Sequence, residues 1–371
     1  MTEREAYIAF NLLPDMGAVS VARLIAVHGS AVAAWEALPD KQDWQGKPPA
    51  WEREIERAKK MRVTLVTLQD EAYPAALRDI ASPPLVLYVV GNPMALNHPG
   101  VALVGTRRPT LYGSSTAERL ALGLVHAGKT VFSGLAMGID AAAHRGALLG
   151  KGMTVGVLGG ALDKFYPKDN TKLAREIVDA GGAVVSEFPL GRPPDSQTFP
   201  QRNRVVSGLS QGVVAVEAPL KSGTLITCRL ALEQGRVVMA VPGRIDCANA
   251  RGCLHLVREG ATLVTSVEDI LEAVGPFGVV SAPVPMERKA VPKPSAPQPK
   301  PPRETRRPVA PELVIAADEA KVLGVLDRAG QTIDAVARAV DLPAGKVSAL
   351  LVQLRLKRRA RFLPGNRVCL A

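Results

Sequence analysis

The chain has 371 residues, 47% of them hydrophobic, with 33 glycines and 30 prolines, which suits a soluble globular protein of two or three domains with some linker content. Its net charge of +11 is uneven: residues 281–371 hold 17 Lys and Arg against 8 Asp and Glu, the first 280 hold 29 against 27, and an anion site in the body must therefore be a local cluster. No run has the length of a membrane helix, the start MTEREAYIAF is charged where a signal peptide is apolar, and Cys228, Cys247, Cys253 and Cys369 form no C-x-x-C pair, so the expected compartment is the reducing cytoplasm.

Residues 1–65 read as helical. Pro14-Asp15-Met16-Gly17 separates two apolar helical patterns, and His28-Gly29-Ser30 precedes a third. Helix, Gly-containing turn and helix resemble the helix-hairpin-helix and SAM-like modules that sit on nucleic-acid backbones; a plain helical bundle with glycine breaks fits the same residues.

From Val63 the pattern changes to short β-branched runs. VTLVTL and LVLYVV are strand-like, and then strands alternate with helices: VALVG (101–105), a helix from Ser114, TVFSG (130–134), a helix from Ile139, TVGVLG (154–159), a helix over Leu173 to Ala180, and AVVSEF (183–188). A helix over Gln201 to Leu209, the strand GVVAVE (212–217), a polar turn at Lys221-Ser222-Gly223-Thr224, a helix to about Gln234 and VVMAVPG (237–243) complete the series. Such alternation predicts an α/β domain over residues 66–275, an open, doubly wound, mostly parallel, Rossmann-like sheet.

Ligands of such sheets gather at the carboxyl ends of the strands. The residues there are Gly105-Thr106-Arg107-Arg108, Ser133-Gly134, Gly159-Gly160, Glu187-Phe188-Pro189, Pro219 to Thr224 and Pro242-Gly243-Arg244. Small residues and cations recur among them. The turn at 221–224 opens a helix, whose free amides at a positive end suit phosphate or another anion, with Arg202, Asn203 and Arg204 one element earlier. A solvated loop and an ordinary helix start fit the turn taken alone.

After Phe277 composition breaks. Residues 281–311 hold ten prolines and seven Lys and Arg, as an extended tether over 276–315 would. From 316 to 371, three helical patterns (DEAKVLGVLDRA, Thr332 to Val340, and Pro343 to Lys357 with Val347, Leu350, Leu351 and Leu354 on one face) precede a hairpin at Pro364-Gly365-Asn366. That is a winged-helix pattern, and Arg355, Lys357, Arg358, Arg359 and Arg361 lean towards an acidic partner, DNA or protein.

Enzyme signatures are poor. GTRRPTLYG is not G-x-G-x-x-G, no P-loop is present, and Asp140 with His144 one turn on could be an acid–base pair or a helix-start charge. Cys247, Cys253 and His255 match no zinc spacing. No catalytic residue, cofactor or metal is expected.

In order along the sheet domain, VGTRRPTLYG, SGLAMGIDAAAHRGAL, VLGGALDKFYPKDN, SEFPLG, FPQRNRVVSGLS, VEAPLKSGTLIT and AVPG resemble the bacterial DNA-processing protein A family (DprA, also called Smf). The flanking helical and winged-helix patterns match an arrangement seen in that family. The resemblance implies a non-enzymatic single-stranded-DNA-binding protein of natural transformation that protects incoming DNA, loads the RecA recombinase on it and self-associates through the sheet domain. By motif position it implies DNA-facing roles for Arg107, Ser133, Gly134, Lys168, Arg202, Asn203, Arg204, Lys221, Ser222, Gly223 and Thr224. Aromatics are only 4% of the chain, with Phe199 and Phe165 as candidate stacking platforms. The alternative is a nucleotide hydrolase like the lysine-decarboxylase-like phosphoribohydrolases, whose PGG-x-GT-x-x-E signature is matched only by KSGTLITCRLALE, with Glu233 far from the turn.

Overall fold

The computed structural model describes residues 1–275 except Asp15 and Asp40, and then 317–327, 330–343, 346–347, 350–351, 354, 359–363 and 367–370. The described residues form two compact units, one within the first 275 residues and one from 317 on. The proline-rich stretch 281–311, the turn Pro364-Gly365-Asn366 and the basic residues Arg355, Lys357 and Arg358 lie outside them.

Four helices open the chain: α1 (Glu3–Leu12), α2 (Ala18–His28), α3 (Ala31–Ala37) and α4 (Trp51–Lys60). A capping box starts α1, with the Thr2 hydroxyl accepting from the Glu5 amide and the Glu5 carboxylate from the Thr2 amide. α2 stops at Gly29, whose φ of +87° would strain any side chain. The apolar faces of these helices do not close on themselves. Phe10 and Trp35 meet edge to face at 5.3 Å, in one core with Leu65, Val86 and Tyr88 of the first two strands.

Those strands, β1 (Thr64–Thr67) and β2 (Val86–Gly91), form one edge of a nine-stranded sheet. The others are β3 (Gly100–Val104), β4 (Thr130–Ser133), β5 (Thr154–Val157), β6 (Ala183–Ser186), β7 (Gly212–Ala215), β8 (Val237–Ala240) and β9 (Thr262–Leu263). Between them run α5 (Ala75–Arg78), α6 (Leu111–His126), α7 (Ile139–Leu149), α8 (Thr171–Asp179), α9 (Thr198–Leu209), α10 (Gly223–Glu233) and α11 (Arg251–Arg258), with α12 (Val267–Val274) last. The spatial order is β1-β2-β6-β5-β4-β3-β7-β8-β9, parallel throughout from β6 to β9, with β2 antiparallel to both β1 and β6. The predicted doubly wound, mostly parallel class is what the chain adopts.

The strands read as continuous apolar runs because both faces are covered. Ala102, Val213 and Val238 enter the core shared with α9, α10 and α11, whereas Val101, Val214 and Met239 enter the core under α6, α7 and α12. The consequence for function lies in the winding. From β3 the chain builds outward through β4, β5 and β6, then returns through α9 to place β7 on the other side of β3. Connections therefore leave the carboxyl ends of β3 and β7 in opposite directions, and a crevice opens between them.

The second unit comprises α13 (Ala317–Val325), β10 (Gln331–Thr332), α14 (Ile333–Val340), β11 (Ala360–Leu363) and β12 (Arg367–Leu370), its sheet ordered β10-β12-β11. Val322, Val336, Val347, Leu351, Leu354 and Val368 are its buried centre, and Leu350 packs partly against it. The 347, 351, 354 spacing is one helical face, as the sequence predicts.

No single helix among the described residues is long and apolar enough to cross a membrane.

Candidate nucleic-acid interface

A cleft of about 500 Å³ fills the crevice between β3 and β7. Glycines shape its inner wall. A Cβ on Gly105 would stand 2.5 Å from the Ile139 side chain and 2.9 Å from the Glu217 carbonyl, so only glycine lets the turn after β3 lie this close to α7 and β7. Gly138, at φ +81°, clears the backbone of Thr106 and Arg107 in the same way. The Thr106 amide donates to the Glu217 carbonyl at 2.7 Å and its carbonyl accepts from the Ile139 amide at 3.2 Å. Held on both sides, this turn projects Arg107 and Arg108 outward as exposed cations.

Lys221-Ser222-Gly223-Thr224 forms the opposite lip. Ser222 has the extended N-cap conformation of α10, but its hydroxyl makes no cap hydrogen bond, so the first amides of α10 stay available beside the exposed Lys221. Asn203 of α9 reaches across to the Gly223 carbonyl at 3.5 Å. Phe199, in the first turn of α9, closes one end, with the Arg107 guanidinium 5.2 Å above its ring and Tyr166 6.0 Å away on another side. Tyr166, Pro167 and Met137 line a small neighbouring pocket with them.

The floor holds two buried, oppositely charged side chains. Arg202, 5% exposed, turns inward from α9 and donates to the carbonyls of Gly134 and Val157, at the ends of β4 and β5. Asp140, 7% exposed, lies beside it and accepts from the Ala136 amide at 3.4 Å. Burial pushes the Asp140 carboxyl up, with Arg202 acting against the rise, and burial brings the Arg202 guanidinium down to about 10. Gly134 is where it is because a Cβ there would stand 2.7 Å from both the Arg202 Nη1 and the Asp140 Oδ2.

Eight of the eleven sequence-nominated residues line this one cleft: Arg107, Gly134, Arg202, Asn203, Lys221, Ser222, Gly223 and Thr224. Three do not. Ser133 is fully buried, its hydroxyl donating to the Leu103 carbonyl at 2.6 Å. Arg204, two residues after Arg202 on the helix, points to the other side of α9 and pairs with Glu187, whose carboxyl burial pushes up against the pull of Arg204. Lys168 is exposed on the short turn after Pro167, outside the cleft. Phe165 packs on the core between α7 and α8, which leaves Phe199 as the aromatic wall.

Asn249 is a cleft residue that the sequence does not announce. Its carbonyl accepts from the Ala218 amide at 2.7 Å and its side chain donates to the Arg108 carbonyl at 3.0 Å, tying the loop after β8 to the first rim turn. No periodicity or motif spacing brings residue 249 beside 108.

Asp140 and His144 share a helix but serve different partners. The Thr154 hydroxyl gives its one proton to the Val131 carbonyl, so it must accept from His144 Nδ1–H at 2.7 Å, and burial holds the imidazole down at about 3, uncharged. Glu233 lies at the far end of α10, paired with Arg229 at 2.9 Å and clear of the cleft. Among the described residues no three His, Cys, Asp or Glu side chains gather as a metal site.

With this geometry in view, similarity to known proteins is informative. The profile of the family described as DNA recombination-mediator protein A matches residues 64–275, and that of the DprA winged helix domain matches residues 293–366. Protein Smf of Escherichia coli strain K12 is 44% identical over 208 residues, 56% of this chain and 56% of that protein, so the match spans little more than half of its length. The X-ray structure of DNA processing protein A from Streptococcus pneumoniae superposes with a TM-score of 0.61 at 33% identity, covering 73% of this chain and 98% of that one. DNA processing protein A from Helicobacter pylori, a structure concerned with its mode of binding single-stranded DNA, gives 0.51 at 32% identity, over 56% of this chain and 94% of that one.

Proposed function

The chain belongs to the DNA recombination-mediator protein A family, and from that footing we propose that it binds single-stranded DNA along the cleft between β3 and β7. The observation that carries the reading is the convergence of Arg107, Arg108, Lys221 and the amide end of α10 on one crevice whose single carboxylate, Asp140, is matched by Arg202. Several cations and free amides on one path suit a sugar–phosphate chain held by its backbone. Phe199 offers one face for a base, and the groove carries no row of side chains arranged to read a sequence.

In this reading Arg107, Asn203, Lys221, Ser222, Gly223 and Thr224 touch the strand, Gly134 lets it approach, and Arg202 holds the floor. The protein shelters the strand in the cytoplasm during natural transformation, pairs with a second copy of itself through the sheet domain, and passes the DNA to the RecA recombinase. Its part is binding without catalysis. The helical residues 1–65 and the winged helix of 316–371 are accessory modules joined to the 66–275 sheet domain, the latter by the 276–315 tether.

Fluorescence anisotropy of oligo-dT against a duplex of equal length tests the binding step. The expectation is preference for the single strand, with a salt dependence that flattens in Arg107→Ala and Lys221→Ala. Equal affinity for duplex, or unchanged salt slopes in both folded variants, would overturn it. The hand-over is read separately, as faster assembly of RecA filaments on coated single strands when the full chain is added.

A further inference from the structure

A second cleft, of about 450 Å³, lies just beyond the first, at the carboxyl ends of β7 and β8. Its lining is largely apolar and includes Tyr112, Val216, Pro242, Cys247 and Ala250; its polar side chains are Thr110, the buried carboxylate of Glu217 and the exposed Arg244, which is paired with Asp246. The two clefts share a wall. Thr106, Arg108 and Asn249 line the first; Thr110, Cys247 and Ala250, a few residues along the same two loops, line the second. The ridge between them is the hydrogen bond from Asn249 to the Arg108 carbonyl.

Three features of this cleft suit one occupant. The Tyr112 ring is half exposed, yet its hydroxyl is anchored to the Pro242 carbonyl at 3.2 Å, so a flat apolar face stands fixed at the mouth. Glu217 accepts from the Thr110 amide at 2.9 Å and from the Thr110 hydroxyl at 2.5 Å, which fixes its carboxylate at the inner end with acceptor capacity to spare. Room for that carboxylate is built in, because a Cβ on Gly113 would stand 2.4 Å from its carbon. The exposed Arg108 lies on the ridge, where a backbone phosphate would cross from one cleft to the other.

The geometry points to a base pocket: the second cleft receives one unstacked nucleobase of the strand held in the first, stacked on Tyr112, with Glu217 accepting from an exocyclic amino group. Cytosine presents its N4 amino group to a carboxylate in this way, whereas thymine presents a carbonyl in the same place. The pocket therefore favours cytosine over thymine at one position of an otherwise unread strand. This inference depends on the binding function proposed above, and the experiment separates the two.

Cys247 is the reporter. It lines the pocket and is partly exposed, while Cys228, Cys253 and Cys369 are buried and serve as internal controls. The full chain is alkylated with iodoacetamide alone, with saturating oligo-dC and with saturating oligo-dT, and each cysteine is followed by mass spectrometry. The expected result is that oligo-dC slows modification of Cys247 at least about fivefold more than oligo-dT does, the low end of what one good base contact discriminates. Tyr112→Ala, on the exposed side of α6, should weaken oligo-dC about tenfold, the scale of one stacked base, and remove the difference between the two oligomers. If both oligomers bind but protect Cys247 equally, or not at all, the base pocket is wrong and the groove stands. If neither oligomer binds, the groove reading falls and the pocket with it.

Discussion

The lip and the floor of the β3–β7 cleft use the same kind of residue for opposite ends. On the lip, Arg107 and Lys221 are exposed, stand on turns fixed by glycine and helix-start geometry, and have no carboxylate partner among the described ion pairs. On the floor, Arg202 is nearly out of reach of solvent and holds together the ends of β4 and β5, with its charge set against that of Asp140 at the start of α7. A cation that must attract a phosphate has to be exposed and unpaired; one that must align two strand ends has to be buried and turned onto their carbonyls. The FPQRNR segment shows how little sequence separates the two kinds of work, since Asn203 stands between Arg202 on the floor and Arg204, which pairs with Glu187.

The contrast breaks most visibly at the floor. Arg202→Ala strands the Asp140 carboxylate and two carbonyls in a buried site, and should cost about 3–5 kcal/mol of unfolding free energy in urea titrations. Arg107→Ala should change that quantity by less than about 0.5 kcal/mol. A floor variant as stable as the lip variant would show that Arg202 does not hold the strand ends together.

Acidification gives the next effect. The unfolded chain protonates His144 near its ordinary value of 6.5, whereas the folded imidazole is held down at about 3. A depressed base binds fewer protons folded than unfolded across that interval, so its contribution is complete above pH 6.5 and is lost as pH falls towards 3. Between pH 7 and pH 5 the loss should reach about 2 kcal/mol, at about 1.4 kcal/mol per pH unit below 6.5. Asp140 and Glu187 act in the opposite sense, since their raised carboxyls bind protons more tightly in the folded state. The histidine part is therefore read as the difference between the wild type and His144→Gln, and identical pH dependence in the two proteins would contradict it.

Gly134→Ala sharpens the comparison from the side of packing. Its new methyl group would press on both members of the floor pair, and a loss of about 1–3 kcal/mol is expected in the same titrations. At the lip, Arg107→Ala or Lys221→Ala should weaken oligo-dT binding by about 1 kcal/mol or more without loss of stability, measured by anisotropy across a salt series. Lys168→Ala is the smallest change. That lysine stands outside the cleft, so affinity should shift by less than about 0.5 kcal/mol, and a loss equal to that of Lys221→Ala would extend the groove past Tyr166.

What the residues alone determined is local. The β-branched runs, the helix spacing and the glycines after each strand specify a parallel sheet and mark its functional rim, because period and turn chemistry act over a few residues. They also fix where α9 and α10 begin and end to within a few positions. Only the fold decided which rim loops meet. The return of the chain from β6 to β7 brings Lys221 opposite Arg107 and leaves Lys168 outside, and the loop after β8 delivers Asn249 to Arg108. Direction of a side chain is likewise tertiary. Arg202 and Arg204 lie two residues apart on one helix, about 200° around its axis, so packing against β4 and β5 on one side and Glu187 on the other assigns them different tasks.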